Sequence, residues 1–599
     1  MMNKNVVNNF SLNIATVNGS GSQSANTIIA RTLFRMGLPV GAKNLFPSNI
    51  AGLATWFTIR VHGKGFVGRK RLHDIVIAKN LSTLKDDIAA LKSGGYFIYD
   101  QEFKIDPSQI RDDVKLISIP YRELVKEISE SIKMRKLLTN MVYVGLLSEL
   151  LELDQNALKS SLVSQFKNKN EIIEINQRAI DKGIQFVKEN LQKNDFIFKV
   201  KSLPDGNKNH LLIDGNSAAA IGALCGGCTF LSWYPITPSS SLAENFQTLA
   251  DEFRTDGEKK KYASLQAEDE LGAISMVIGA GWAGSRAMTA TSGPGLSLMA
   301  EAAGLSYFAE VPAVIWDVQR AGPSTGLPTR TLQGDILASA FLSHGDTEHV
   351  LLIPGSPQEC FEMARIAFDT AEELQTIVIV LSDLDLGMNL YISPEFEHNS
   401  KPYSRGKVLS ANDLNKLTEF ARYKDVDGDG IGYRTLPGTA HPLAAYFTRG
   451  TSHTETSAYS ENAENFNKLL NRLKFKLDNY VERLPKPILT GSSTDNGVIA
   501  YGSTDSVMAE ALSLLNSSDM PLDYLRIRSF PFSSDVLKFL ENKKNIFVVE
   551  QNRDAQLASL LKIKFPKHAG KLVSVLNYDG LPITAESIFE QIEKKSRMT

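Results

Sequence analysis

The residues best able to do chemistry lie in three short stretches. In Glu270–Gly284, ELGAISMVIGAGWAG, an acid stands at the start of a helical pattern built from glycine, alanine and small aliphatic residues. Small side chains let a second backbone or a flat ligand approach closely, which an ordinary amphipathic helix does not need. An acid in a first helical turn also suits the helix dipole, so a capping role competes for Glu270. Thr289–Gly295, TATSGPG, follows directly and reads as a strand end passing into a Gly/Pro turn. The second stretch, Tyr234–Ser240, is YPITPSS. Taken alone it is a proline-rich turn after a strand, with Thr237 free to cap the next helix. The third runs from Gln319 to Asp335 behind the apolar run AVIWDV, which puts it at a strand's carboxyl end, where α/β sheets bind ligands. Its arginines, Arg320 first and Arg330 second, can grip a carboxylate bidentately and stay charged at any working pH. A surface salt bridge is the competing use.

Several α/β units must position these stretches. Residues 1–202 open with a strand over Leu12–Val17, a turn at Gly19-Ser20-Gly21-Ser22, and the helical pattern ANTIIARTLFRMG. That order starts a doubly wound unit. The runs TWFTIRV, HDIVIAKN and GYFIYD predict further strands, and 121–192 turns helical and charged. A polar stretch at Leu203–Asn207 precedes a second α/β unit over 203–392, with strands expected at Val311–Trp316, Val350–Ile353 and Ile377–Leu381. Residues 393–495 show little periodicity and read as an extended linker with some helix in NFNKLLNRLKFKLDNYVERL. A last, small α/β unit occupies 496–599, with VIAY, LDYLRIR and NIFVVEQ as its strands.

Bulk properties exclude several classes. A chain of 599 residues exceeds one core and predicts three or four domains. A net charge of -2 steers it toward neither nucleic acid nor an anionic membrane surface. No apolar run reaches the length of a membrane span, and the N-terminus lacks a signal-type stretch. Three cysteines argue for a reducing, cytoplasmic setting and cannot supply four-cysteine ligation of an iron–sulfur cluster.

The acid followed by Gly-Ala and then Gly-x-Ala resembles the aminopyrimidine-activating element of thiamine-diphosphate enzymes. Glu268 and Asp269 compete for that place, and the spacing to Gly279-Ala280 favours Glu270. The resemblance implies that Glu270 hydrogen-bonds the pyrimidine and favours its imino form, with the cofactor as electron sink. The diphosphate's Mg²⁺ site has no counterpart here. The one Gly-Asp-Gly, Gly428-Asp429-Gly430, lacks a preceding apolar strand and a following small-residue helix. YPITPSS, the RAGPSTGLPT stretch at 320–329 and the RTLPGT at 434–439 then identify the chain as similar to 2-oxoacid:ferredoxin oxidoreductases, in the form of an α subunit with a fused γ-type domain.

That resemblance covers nearly the whole chain. It implies a γ-type domain, a pyrimidine-binding type domain and a transketolase C-terminal-like domain in turn. Gly19-Ser-Gly21-Ser-Gln23 stands where the family usually has a glycine-richer turn, and no Arg-Gly-Gly triplet appears near Ile50 to Trp56. The implied catalytic residue is Glu270, with Thr237, Pro238, Thr291 and Ser292 beside the cofactor. Thr237, Arg320, Ser324, Thr325 and Arg330 are implied on the substrate side. The implied reaction takes a 2-oxoacid, coenzyme A and oxidised ferredoxin to acyl-CoA, CO₂ and reduced ferredoxin. The fused layout looks most like 2-oxoglutarate-using members, with pyruvate or branched-chain 2-oxoacids as alternatives. A β subunit in an (αβ)₂ assembly is expected to hold Mg²⁺ and a [4Fe-4S] cluster. A non-catalytic scaffold and a transketolase-like enzyme complete in one chain are the rival classes. Cys225-Gly-Gly-Cys228 reads as part of a small-residue helix. Asp425-Val-Asp427-Gly-Asp429-Gly430 matches the start of a calcium loop but has Leu436 at its twelfth position, leaving only a cation of other geometry open. His441 and His453 are expected to be loop hydrogen-bonders.

Overall fold

The computed structural model describes residues 5–47, 50–106, 110–167, 169–192, 195–397, 401–491 and 493–597. Three sheets organise it. The first has six strands in the spatial order Val40–Leu45, Ala54–His62, Asn9–Val17, His73–Ala78, Leu91–Asp100, Lys115–Ile119. Ala54–His62 runs antiparallel to both of its neighbours, and the pairings from Asn9–Val17 onward are parallel. Helix Ser22–Arg35 follows the Gly19–Gly21 turn, as the sequence predicts. The helical stretch after 121 resolves into Ile132–Leu151, Gln155–Gln165 and Asn170–Asn190, each packed into the same apolar core as the sheet. Val6–Val7 pairs with Phe198–Lys199, so the chain ties its own beginning to the end of this unit.

The central sheet has seven strands. Six are parallel: Ala263–Gln266, Phe230–Trp233, Ala287–Thr291, Ala313–Gln319, Ile377–Asp383 and Val350–Leu352. AVIWDVQ and IVIVLSD are buried at every residue, which is why they read as continuous apolar runs rather than alternating ones. Helices cover both faces, and the functional stretches all leave the carboxyl ends of these strands. The strand end expected at Thr289 is strand Ala287–Thr291, and in place of the expected Gly/Pro turn a short helix follows at once, Gly293–Leu298, with Pro294 in its first turn. Proline suits that place because its missing N–H has no intrahelical partner there.

The seventh strand, Ser529–Phe530, comes from the C-terminal unit and pairs antiparallel with Val350–Leu352. That unit has its own five-stranded sheet, ordered Ile488–Thr490, Asp523–Ile527, Gly497–Tyr501, Ile546–Glu550, Leu572–Leu576. Its first strand lies before the expected start at 496, because Ile488–Thr490 adds to the edge of Asp523–Ile527. Ile499, Leu525 and Ile527 share one apolar core with Ile315, Ile379 and Ile353 of the central sheet. The stretch after 393 holds one long helix, Ala463–Tyr480, inside the expected NFNKLL segment. Its Lys476 and Arg472 both bond the buried Glu310, and Lys476 and Glu310 are both sealed from water. Two charges buried this deeply are tolerated only as a bonded pair, so this contact fixes the helix to the central domain.

Candidate functional site

Glu270 is the first residue of helix Glu270–Trp282, but it does not cap it. Asp269 does so, with its Oδ1 accepting from the Gly272 N–H at 2.7 Å. Glu268 is exposed, so each of three consecutive acids has a different setting. Glu270 is buried at 5% exposure, and among the described residues no donor bonds its carboxylate. It lies against Gly295, where a Cβ would meet Thr291 Oγ1 at 2.1 Å, Glu270 Cγ at 2.7 Å and Glu270 Oε1 at 2.8 Å. Only glycine leaves room for the acid there. The Ser292 hydroxyl on the same turn is buried without a partner among the described residues.

The opposite face of the helix is largely exposed, and at its end Trp282 Nε1 donates to Thr448 Oγ1 at 2.6 Å. Leu271, Met276 and Trp282 are 48%, 43% and 39% exposed, and a Cβ at Gly279 would meet nothing within 4 Å. This chain's own packing therefore does not require glycine at 279.

Thr237 and Arg320 are joined. The Arg320 guanidinium donates from Nη1 to the Thr237 carbonyl at 2.7 Å and from Nη2 to the Thr325 carbonyl at 3.2 Å. It is buried at 7% exposure, with its Nε unpartnered among the described residues. The arginine thus clamps the YPITPSS turn to the following loop instead of standing free in an open pocket. Pro238 is buried and its carbonyl accepts from Asn216 Nδ2 at 2.8 Å. Ser324 and Thr325 sit exposed at the loop tip. The loop crosses itself at Gly326, where φ is +50° and a Cβ would meet the Ala321 carbonyl oxygen at 1.9 Å. Arg330 is half-buried and reaches across to the N-terminal unit, donating to the Phe46 carbonyl at 2.7 Å.

Sequence reasoning did not assign roles to the groups beneath that loop. Asp317, on strand Ala313–Gln319, lies opposite Thr291 in the sheet and is fully buried. Asp335, where the chain returns, stands beside it, and among the described residues no donor reaches either Asp317 oxygen or the Asp335 Oδ2. Burial, then the charge of Asp335, holds the Asp317 carboxyl well above the carboxylate range, and burial pushes Asp335 up to about 6. Next to them, Gln333 Nε2 donates to the Tyr501 carbonyl, Gln333 Oε1 accepts from the Gln551 N–H, and Thr504 donates to the same oxygen. The motifs Gly502–Thr504 and Glu550–Asn552 of the C-terminal unit are thus the wall behind the loop.

The remaining features have ordinary partners. In the Asp425–Gly430 loop, Asp425 accepts from the N–H groups of Gly428, Asp429 and Gly430, and Lys407 Nζ bonds Asp427 and Asp429 at 2.6 and 2.7 Å. A side-chain ammonium supplies the positive charge that the acids call for. Cys225, Cys228 and Cys360 are free thiols; burial pushes Cys228 up to about 12. His441 Nδ1 accepts from the Leu443 N–H, and His453 Nδ1 bonds the Thr451 carbonyl. Among the described residues no group of three His, Cys, Asp or Glu side chains could hold a metal ion, and no helix is long and apolar enough to cross a membrane.

The parallel sheet thus sets a buried glutamate with no donor of its own at a helix start, near a loop clamped by Arg320. Comparison with known proteins gives the chain a family. The family model described as pyruvate flavodoxin/ferredoxin oxidoreductase, thiamine-diphosphate-binding, matches residues 221–413, and the pyruvate ferredoxin/flavodoxin oxidoreductase model matches 11–186. The α subunit of 2-oxoacid:ferredoxin oxidoreductase 1 from Sulfurisphaera tokodaii is 30% identical across 97% of both chains. The 2-oxoglutarate synthase subunit KorA of Methanothermobacter marburgensis is 36% identical over 57% of this chain and 87% of its own. Among solved structures, the 2-oxoglutarate:ferredoxin oxidoreductase from Magnetococcus marinus superposes with a TM-score of 0.88 at 29% identity, covering 98% of this chain and 99% of that one. This chain belongs to the 2-oxoacid:ferredoxin oxidoreductases, a thiamine-diphosphate family, as an α subunit.

Proposed function

We propose that the assembled enzyme oxidatively decarboxylates 2-oxoglutarate with coenzyme A, giving succinyl-CoA, CO₂ and reduced ferredoxin. In this reading the chain supplies the pyrimidine-holding half of the cofactor site, and Glu270 is its catalytic residue. The observation that carries it is Glu270 itself, a carboxylate spared from capping by Asp269 and packed against Gly295. Such a group fits the cofactor because it can hold the pyrimidine nitrogen's proton without competition from a donor of its own. Thiamine diphosphate, when bound, supplies the electron sink for loss of CO₂.

The other residues divide the remaining work. Thr291, Ser292 and Pro238 line the cofactor side. Thr237 offers its hydroxyl to the substrate from a turn that Arg320 fixes through the carbonyl. Ser324 and Thr325 face solvent at the loop tip, within reach of an incoming carboxylate, with Arg330 at the junction to the N-terminal unit. The exposed face with Leu271, Met276, Gly279 and Trp282 is where a β subunit docks, bringing Mg²⁺, the diphosphate grip and a [4Fe-4S] cluster in an (αβ)₂ assembly. The α-subunit names of the relatives support a partner chain. The KorA relatives and the M. marinus enzyme, whose structure holds 2-oxoglutarate, coenzyme A and succinyl-CoA, support the substrate.

One experiment tests both claims. The wild-type assembly and its Glu270→Gln variant are assayed for kcat/KM with 2-oxoglutarate and with pyruvate. Wild type should prefer 2-oxoglutarate, and the variant should lose about 10²–10⁴-fold with either substrate, the usual worth of a positioned proton-transfer group. A preference for pyruvate, the substrate named in the family models, would overturn the substrate; near-normal turnover in the variant would overturn the role of Glu270.

A further inference from the structure

The loop that carries Arg320, Ser324, Thr325 and Arg330 leaves the central sheet at Gln319 and returns at Asp335. Its two ends are held together at the base. The Asp335 N–H donates to Gln319 Oε1 at 3.0 Å, and the Asp335 side chain turns back onto Asp317 of the strand. Among the described residues no donor bonds either oxygen of Asp317 or the Oδ2 of Asp335, and the two side chains stand beside each other, so a proton held between them is what would satisfy these atoms. Two carboxyl groups can hydrogen-bond only if one keeps a proton, because two carboxylates have only acceptors to offer. Asp317 is closed off from water, and Asp335 lies against Gly293, where a Cβ would meet its Oδ2 at 2.8 Å.

We propose that Asp317 and Asp335 are a proton-sharing pair that positions the substrate loop, with Asp317 as the neutral donor and Asp335 as the carboxylate. The pair acts through Arg320 and does not itself touch substrate. It therefore consists of positioning residues, and the inference rests on the placement of Arg320 in the site proposed above. The single negative charge left on Asp335 faces the Arg320 guanidinium, which Glu270 also faces. From the C-terminal unit, Tyr501 faces Asp335. With the proton in place, the pair brings one negative charge to the loop base instead of two, and the base is closed. Losing the proton sets two carboxylates side by side, one of them, Asp317, out of reach of water, and they repel and release the base. The loop is thus geared to pH through a group remote from the reacting atoms.

The sign follows from linkage. In the fold Asp317 keeps its proton at pH values where a free carboxyl has lost it. Wild-type stability therefore falls as pH rises above the ordinary carboxyl range, and that slope ends once the folded-state pKa is passed. Asparagine at 317 presents a permanent N–H donor to Asp335 and has no proton to lose.

The test uses the assembled enzyme with Asp317→Asn and Asp317→Ala. At neutral pH Asp317→Asn should keep most of the wild-type kcat/KM, and Asp317→Ala should lose about 100-fold, the scale of a displaced positioning group. On the alkaline side the wild-type profile should fall while that of Asp317→Asn stays level, and melting temperature should separate the two in the same direction. The infrared difference, wild type minus Asp317→Asn at neutral pH, should contain one protonated-carboxyl band. This last readout needs no turnover, so it stands whether or not 2-oxoglutarate is the substrate or Glu270 the proton relay. Absence of the band overturns the proposal. So does Asp317→Asn falling with Asp317→Ala, or sharing the wild-type alkaline limb.

Discussion

At the scale of single residues, the site is defined by which of several similar side chains has been left free. Three acids in a row offer the same charge, and the difference between them is geometric: Glu268 meets water, Asp269 spends its carboxylate on the Gly272 N–H, and Glu270 is turned inward. The residue that enforces this is a glycine. Replacing Gly295 with alanine puts a methyl group 2.1 Å from Thr291 Oγ1 and 2.8 Å from Glu270 Oε1, contacts that real atoms do not make. The Glu270 carboxyl must then move by about 1 Å, enough to cost a catalytic group about 100-fold. Gly295→Ala should accordingly lower kcat by that order in a steady-state assay while circular dichroism stays unchanged. A variant with full activity would show that the close approach is incidental.

Single-residue reading reached much of this site. The small-residue helix stands out by composition, YPITPSS and the RAGPSTGLPT loop by their resemblance to a family's motifs, and the structure brings Thr237, Glu270 and Arg320 to strand ends of one sheet. The Asp317–Asp335 pair was illegible for a physical reason. Its members are eighteen positions apart, and only the return of the loop onto its own strand makes them neighbours. Arg320 was legible as a charge seeking a carboxylate, yet its two donors go to backbone carbonyls that no pattern of side chains reveals.

At the scale of elements, helix Glu270–Trp282 has two faces with different duties. The inner face packs Ala273, Ile274, Val277 and Ile278 into the core, and Gly281 fits against the Pro312 carbonyl, where a Cβ would stand 2.0 Å away. The outer face has no such constraint, and Gly279 looks onto open space. Gly279→Leu should leave this chain folded, since an exposed helical position even gains a little propensity when glycine is replaced. It should nevertheless abolish co-purification with the β subunit, measured by pull-down from co-expressing cells. Undiminished recovery of the partner would move the docking face elsewhere.

Strand and helix types were readable wherever burial imposes a clear pattern, as in AVIWDVQ, IVIVLSD and ANTIIARTLFR. The stretch 393–495 was readable only as irregular. Its order depends on partners far away in sequence: Lys476 and Arg472 on Glu310, Arg434 on Glu372, and Gln375 on the Gly432 carbonyl. The short edge strand Ser529–Phe530 carried no signal either, because two residues are too few to show a period.

At the scale of the whole molecule, the three units meet through charge as well as apolar surface. Lys43 of the N-terminal sheet makes a buried pair with Asp385 at 2.5 Å and donates to the Tyr391 hydroxyl at 2.8 Å. Arg60 and Lys70 converge on Glu510 of the C-terminal unit, each at 3.2 Å. Breaking one member of the buried Lys43–Asp385 pair strands the other without solvent, a loss of about 3–5 kcal/mol. The N-terminal unit therefore rides on the other two as a docked body rather than a tethered one.

The pairing of Val6–Val7 with Phe198–Lys199 has a further consequence: it draws a perforation line through the polypeptide. Nicked in the exposed turn at 204–208, the molecule parts into two pieces that each own every strand of their sheets. Nicked near 426, it would instead tear Ser529–Phe530 from the central sheet and leave Glu310 without its cations. Residues 1–206 and 207–599, produced as separate chains in one cell, should find each other and co-elute on size exclusion, whereas halves divided near 426 should precipitate. One gene or two would then be an accident of bookkeeping at the first site and a matter of survival at the second.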